Sequence, residues 1–140
     1  MTEKVSLEIE WATICERVIL LTERPMIMWP LIQGTYADLE DTVTFTVAVA
    51  IGGDSEHLGV GRLSIRYEIL DPEMNLIWEK VEPGTVIYDP DAVPGKKAMM
   101  LHAANVTLPV SSFGVYTVNV SLDGGRSWTL TYAVAAWPEP

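Results

Sequence analysis

Residues 115–134, VYTVNVSLDGGRSWTLTYAV, are two alternating runs that meet at Asp123-Gly124-Gly125-Arg126. Tyr116, Val118, Val120 and Leu122 fall on one phase, matched by Trp128, Leu130, Tyr132 and Val134. A period of two is the geometry of a strand with one buried face. Glycine at the junction reaches positive φ without a steric penalty, so the two runs read as a hairpin. One hairpin cannot bury its own apolar face, so the rest of the chain must supply the opposing layer.

It has the material to do so. In residues 43–51 (VTFTVAVAI), Val43, Phe45, Val47, Val49 and Ile51 point one way. Thr44, Thr46, Ala48 and Ala50 point the other, and Gly52-Gly53-Asp54 ends the run. Arg62 to Leu70 repeats the pattern, with Leu63, Ile65, Tyr67 and Ile69 inward and Arg66 and Glu68 outward. Asp71-Pro72-Glu73-Met74-Asn75 is a turn, because Pro fixes φ and Asp or Asn bonds nearby backbone. Leu76-Ile77-Trp78 then starts a short returning strand. Pro83-Gly84, Asp89-Pro90-Asp91 and Pro94-Gly95 break up residues 82–97, leaving at most a short strand at Val86 to Tyr88. Strand character resumes from Met99 to Leu108. Val5 to Leu21 alternates weakly through Val5, Leu7, Ile9 and Trp11, while Ile14, Val18 and Leu21 would also suit a helical face. Its β-branched and aromatic content favours one strand, or two divided near Glu16-Arg17.

A chain of 140 residues has the size of one domain, read as a single β-sandwich over residues 1–140. At that length roughly 68–70% of the unfolded surface is buried, enough for a core without staples. Short strands with turns every 8–12 residues or so indicate an all-β antiparallel β-sandwich, immunoglobulin-like in outline, with seven or eight strands. The Cys…Trp…Cys signature of true immunoglobulin domains is absent.

Three stretches carry a resemblance. "LEIEWATICERVIL" lies near the start, "SEHLGVGRLSIRYEILDPEMNLI" holds a strand, an Asp-Pro turn and a strand, and "NVTLPVSSFGVYTVNVSLDGG" leads into the last hairpin. Together they resemble an uncharacterised family of small bacterial and phage-associated β-sandwich proteins, known as a domain of unknown function. The resemblance implies the fold and carries no activity or site residues. The chain departs from that family around Pro25 to Tyr36, where a shorter, Gly-rich connection is expected.

The formal net charge is −10. The nine basic residues are scattered, with Lys96-Lys97 the one adjacent pair, so nucleic acid and anionic membrane are not expected as partners. Cys15 has no second cysteine to pair with and reads as a small buried hydrophobe. The first ten positions hold three Glu residues and no apolar segment of the signal-peptide kind. Glu23, Arg24, Pro25 and Pro30 interrupt the longest apolar stretch, which is therefore not expected to span a bilayer. The expected location is cytoplasmic.

Catalytic constellations are hard to assemble from this chain. A hydrolytic nucleophile needs a base, usually His, and the two histidines are His57, beside an acidic turn, and His102. His102 is in phase with Ala104, Val106 and Leu108, as a core-edge imidazole would be. Zinc needs three or four closely spaced His or Cys ligands, which this sequence lacks. Asp38-Leu39-Glu40-Asp41 and Asp89-Pro90-Asp91 could share calcium at one end of a sandwich, but read better as solvated charge. No phosphate-cradling Gly motif occurs. The expectation is no enzyme, no catalytic residue, no metal and no cofactor.

Pro25 to Ile32 (PMIMWPLI) contains no charge and is bracketed by turn formers. Met adapts its shape and Trp is enriched at binding hot spots. Met26, Ile27, Met28, Trp29 and Leu31, with Trp137 in the tail, are therefore the candidate partner-binding residues. The run would equally serve as an inward-facing strand or a loop folded over the sandwich end. The sequence thus reads as a non-catalytic protein-protein interaction or self-association module, working with a protein partner or as a homo-oligomer. The alternative is a small-ligand or carbohydrate-binding sandwich, calcium-assisted, with Trp29, Trp78, Trp137 or Tyr88 as stacking platforms.

Overall fold

The alternating runs become strands of two facing sheets. The computed structural model describes residues 7–19, 27–31, 33–54, 62–85, 97–122 and 127–139. These hold nine strands: β1 (Leu7–Ile19), β2 (Ile27–Leu31), β3 (Gly34–Tyr36), β4 (Thr42–Asp54), β5 (Arg62–Leu70), β6 (Leu76–Thr85), β7 (Lys97–Pro109), β8 (Gly114–Leu122) and β9 (Ser127–Ala135). One sheet has the order β2-β1-β4-β7 and the other β3-β9-β8-β5-β6. The described residues contain no helix long and apolar enough to cross a membrane.

The core lies where the period of two places it. Val43, Phe45, Val47, Val49 and Ile51 of β4 face Ile65, Tyr67 and Ile69 of β5 and Tyr116, Val118 and Val120 of β8, all buried. Each fully buried side chain of this size contributes about 1.5–3 kcal/mol. Phe45 and Tyr132 stack across the layers with ring centroids 4.4 Å apart. Tyr116 donates its hydroxyl to the Ser112 carbonyl at 2.6 Å. This is the tyrosine corner that closes the approach to a late strand in immunoglobulin-like sandwiches. The expected all-β, immunoglobulin-like sandwich is therefore what the chain forms.

Four local readings change. β1 is one strand, the first of the two alternatives, but its pairing with β4 shifts register between Ile9 and Trp11. The extra residue, Glu10, forms a β-bulge that reverses the phase. Ile9 packs on the core, Ala12 and Ile14 continue that face, and Trp11 falls on the opposite face, contrary to the simple alternation. β4 is buried on both faces: Thr46, Ala48 and Ala50 are at most 3% exposed. The register sets Ala48 and Ala50 beside Thr13 and Trp11 on β1 and beside Ala103 and Leu101 on β7, so small side chains of this central strand are flanked by a strand on either side. β6 runs on through Pro83-Gly84, because an edge strand tolerates a missing N–H on its unpaired side. Pro25 to Tyr36, expected as a departure from the family pattern, holds the two strands β2 and β3.

The chain changes sheets there. β2 pairs antiparallel with β1, and β3, three residues further on, pairs parallel with β9. The Asp71–Asn75 turn is fixed by the Asp71 carboxylate, which accepts the backbone N–H groups of Glu73 and Asn75, both at 2.9 Å. Gly114 adopts φ +138°, and a Cβ there would stand 2.9 Å from the Pro72 Cβ. The hairpin residues Asp123–Arg126, the Val86–Tyr88 segment, His57 and Asp89–Asp91 lie outside the described residues.

Candidate interaction surface

β3 is short, yet it decides what one end of its sheet presents to solvent. In its parallel register Gly34, Thr35 and Tyr36 stand beside Ala133, Val134 and Ala135. Val134 is buried, so Thr35 shares the core side, and Tyr36 with Ala135 takes the outer face. Backbone N–H of Ala37 continues the contact by donating to the Ala135 carbonyl at 3.0 Å. Trp137, two residues past β9, folds back over Tyr36 with ring centroids 5.4 Å apart and planes 30° from parallel. Tyr36 remains 52% exposed and Trp137 59%.

The apolar surface continues across the sheet. Val115 on β8 stands beside Ala133 and is 53% exposed. It occupies the phase of Thr117, Asn119 and Ser121, the solvent side of the strand. Thr117 carries the Met74 sulfur over it, its hydroxyl 3.9 Å from Sδ. The strip from Trp137 and Tyr36 through Ala135, Ala133 and Val115 to Met74 bears no charge. Asp38, Glu40 and Glu139, all exposed, lie in the segments adjoining Tyr36 and Trp137.

The residues singled out in the sequence divide. Trp137 lies in this surface. The backbones of Ile27, Met28, Trp29 and Leu31 form β2, an edge strand paired with β1, and their side-chain disposition lies outside what is described, as does all of Met26. The stacking partner of Trp137 is Tyr36, which sequence reasoning missed along with Val115, Ala133 and Ala135. Val115 offered a signal, being an apolar residue on the polar phase of its strand. Tyr36 offered none, since the contact spans most of the chain.

A second group of side chains gathers where β6 and β7 border the sandwich. Glu82 is set opposite Ile65 and Lys80 opposite Tyr67, so both lie on the core side of β6, and Lys80 Nζ contacts the Glu82 carboxylate at 2.7 Å. His102 stands beside Val49 on β7, half-buried in the core-edge position expected. Burial pushes its imidazole below the usual histidine range, and the negative charge of Glu82 opposes that shift. Tyr67 is fully buried and its hydroxyl has no hydrogen-bond partner among the described residues. Burial, with Glu82 adding to it, drives that phenol far above its ordinary range. Cys15 is buried with its thiol raised by desolvation, and its Sγ is directed at the Thr46 carbonyl at 3.7 Å. Around Asp38–Asp41, the Asp41 carboxylate accepts the Asp38 N–H at 3.1 Å. Among the described residues no three His, Cys, Asp or Glu side chains converge as metal ligands do.

No family model matches the sequence, and no curated protein matches it. Solved structures of similar shape include the following two. An immunoglobulin-like protein from Pseudomonas aeruginosa aligns at 14% identity and a TM-score of 0.41, over 93% of this chain and 97% of its own. The alkylpurine DNA glycosylase AlkC of Pseudomonas fluorescens, solved bound to DNA containing an abasic-site analog, aligns at 10% identity and a TM-score of 0.39. The match covers 89% of this chain and 30% of the glycosylase, so the chain spans under a third of that protein.

Proposed function

We propose that this protein is a non-catalytic, cytoplasmic protein-protein interaction module, one of the small bacterial and phage-associated β-sandwich proteins that its three sequence stretches resemble. The observation that carries the interaction reading is the Tyr36–Trp137 pair, two large rings held against each other and both more than half exposed. Holding two aromatics in place beside an uncharged strip is what a binding surface requires, since ordering them beforehand lowers the entropic cost of docking. The partner is a protein with an apolar centre and basic residues around it. Asp38, Glu40 and Glu139 complement such a rim, and a net charge of −10 disfavours meeting an acidic one. The same acids would oppose one another if two copies docked through this strip.

The test compares the wild-type chain with Tyr36→Ala/Trp137→Ala in affinity capture, at low and at physiological salt. A partner held by the wild type, lost with the double variant and weakened by salt supports the reading. Identical captures from both proteins overturn it. The stacked pair also suits the alternative of a sugar face, so a thermal-shift screen with sugars and calcium belongs beside the capture. A midpoint raised by ligand in the wild type and not in the double variant replaces the protein partner with a carbohydrate.

A further inference from the structure

The two sheets bring a polar group together on one flank of the sandwich. β1 lies over β8 and β9, and the strand orders then carry β7 over β6. The inner faces of a sandwich are ordinarily apolar. Here β6 turns Trp78, Lys80 and Glu82 inward, opposite Ile69, Tyr67 and Ile65 of β5, and β7 turns His102 inward beside Val49. Lys80 Nζ holds the Glu82 carboxylate at 2.7 Å, and the two side chains are 45% and 26% exposed. Beneath them the Tyr67 hydroxyl is buried with no hydrogen-bond partner among the described residues. Such groups are rare in folded proteins, because a buried hydroxyl without a bond is a standing cost.

We propose that the β6–β7 flank is a binding site for a small neutral sugar, with the Tyr67 hydroxyl at its floor, Lys80, Glu82 and His102 around it and Trp78 at its side. Charge sets the class. Lys80 and Glu82 cancel each other, the phenol is uncharged, and burial disfavours the cationic form of His102. A charged ligand would enter this half-buried flank with no counter-charge left for it. Lys80 only donates, Glu82 only accepts, and Tyr67 and His102 do either. Hydroxyls, which both donate and accept, satisfy all of them, and a sugar carries several on one ring. The apolar C–H face of that ring suits the Trp78 indole, which is partly buried and packed on the core. Lys80 stands beside Tyr67 across the strand pair, and turning its flexible stem outward opens the way to the phenol. The site shares no residue with the Tyr36–Trp137 surface.

The test is the thermal midpoint and calorimetric titration of the full chain with glucose, galactose and mannose, and with glucosamine and glucuronate as charged counterparts. At least one neutral sugar is expected to raise the wild-type midpoint with concentration, more than either charged one does. Tyr67→Phe should weaken that binding roughly 3–10-fold by removing one neutral hydrogen bond. The variant is itself expected to be the more stable protein, so its loss of ligand is not a loss of fold. Glu82→Gln should weaken binding roughly 10–100-fold, a charged acceptor being removed. Tyr36→Ala/Trp137→Ala should bind as the wild type does. No response to any neutral sugar, a stronger response to the charged ones, or binding that Tyr67→Phe retains in full overturns the flank site. So does binding lost with Tyr36 and Trp137, while the aromatic surface keeps its own capture test.

Discussion

Tyr116 and Ser112 are joined by a hydroxyl-to-carbonyl hydrogen bond of 2.6 Å, which fixes the turn before β8 against the strand it begins. Tyr116 is itself buried in the core, so the bond ties an irregular segment to the most rigid part of the molecule. Tyr116→Phe keeps the ring and removes the donor, leaving the Ser112 carbonyl unmatched. A loss of about 1–3 kcal/mol is expected, read as a lower urea midpoint at unchanged m-value.

Tyr67 is the opposite case. Its hydroxyl is buried and has no partner among the described residues, so it carries a desolvation cost with no bond from them to offset it. Tyr67→Phe should raise stability by about 1–2 kcal/mol. The same chemical change at Tyr67 and Tyr116 therefore shifts the midpoint in opposite directions. Equal effects at both positions would contradict the assignment.

The half-buried imidazole of His102 gives stability a pH dependence. Its folded pKa is lowered, so the unfolded chain binds the proton more readily once pH falls below about 6.5. The contribution is present above that pH and is lost as pH drops toward the folded value. His102→Gln should flatten the acid limb between pH 7 and 5 relative to the wild type, measured by thermal midpoint at each pH. An unchanged limb would contradict the assignment.

Gly114 has a φ of +138° and no room for a side chain beside Pro72. Gly114→Ala should cost about 1–3 kcal/mol through backbone strain, with the Pro72 contact adding to it. A urea titration of the variant measures the sum.

How much of this was written in the sequence depends on the element. β5 was legible throughout, because Arg66 and Glu68 alternate with Ile65, Tyr67 and Ile69 and no residue breaks the period. The last hairpin was legible in phase, but Trp128 is 37% exposed, and how far the opposing sheet extends over a strand leaves no local trace in its sequence. β2 and β3 were obscured by their brevity and by Pro30. The candidate surface was half visible. Trp137 stood out by type, while Tyr36 joins it only through a contact across the fold.

The bulge at Glu10 has a consequence for comparing this chain with others. It acts as a frame shift in side-chain direction, leaving the strand intact while exchanging inside for outside beyond it. A homologue lacking that residue would align without effort and yet carry its apolar positions one step out of phase from Trp11 onward. Deletions at this point should therefore be read as reversals of a strand's two faces, and similarity scores that treat a one-residue gap as minor will misjudge them.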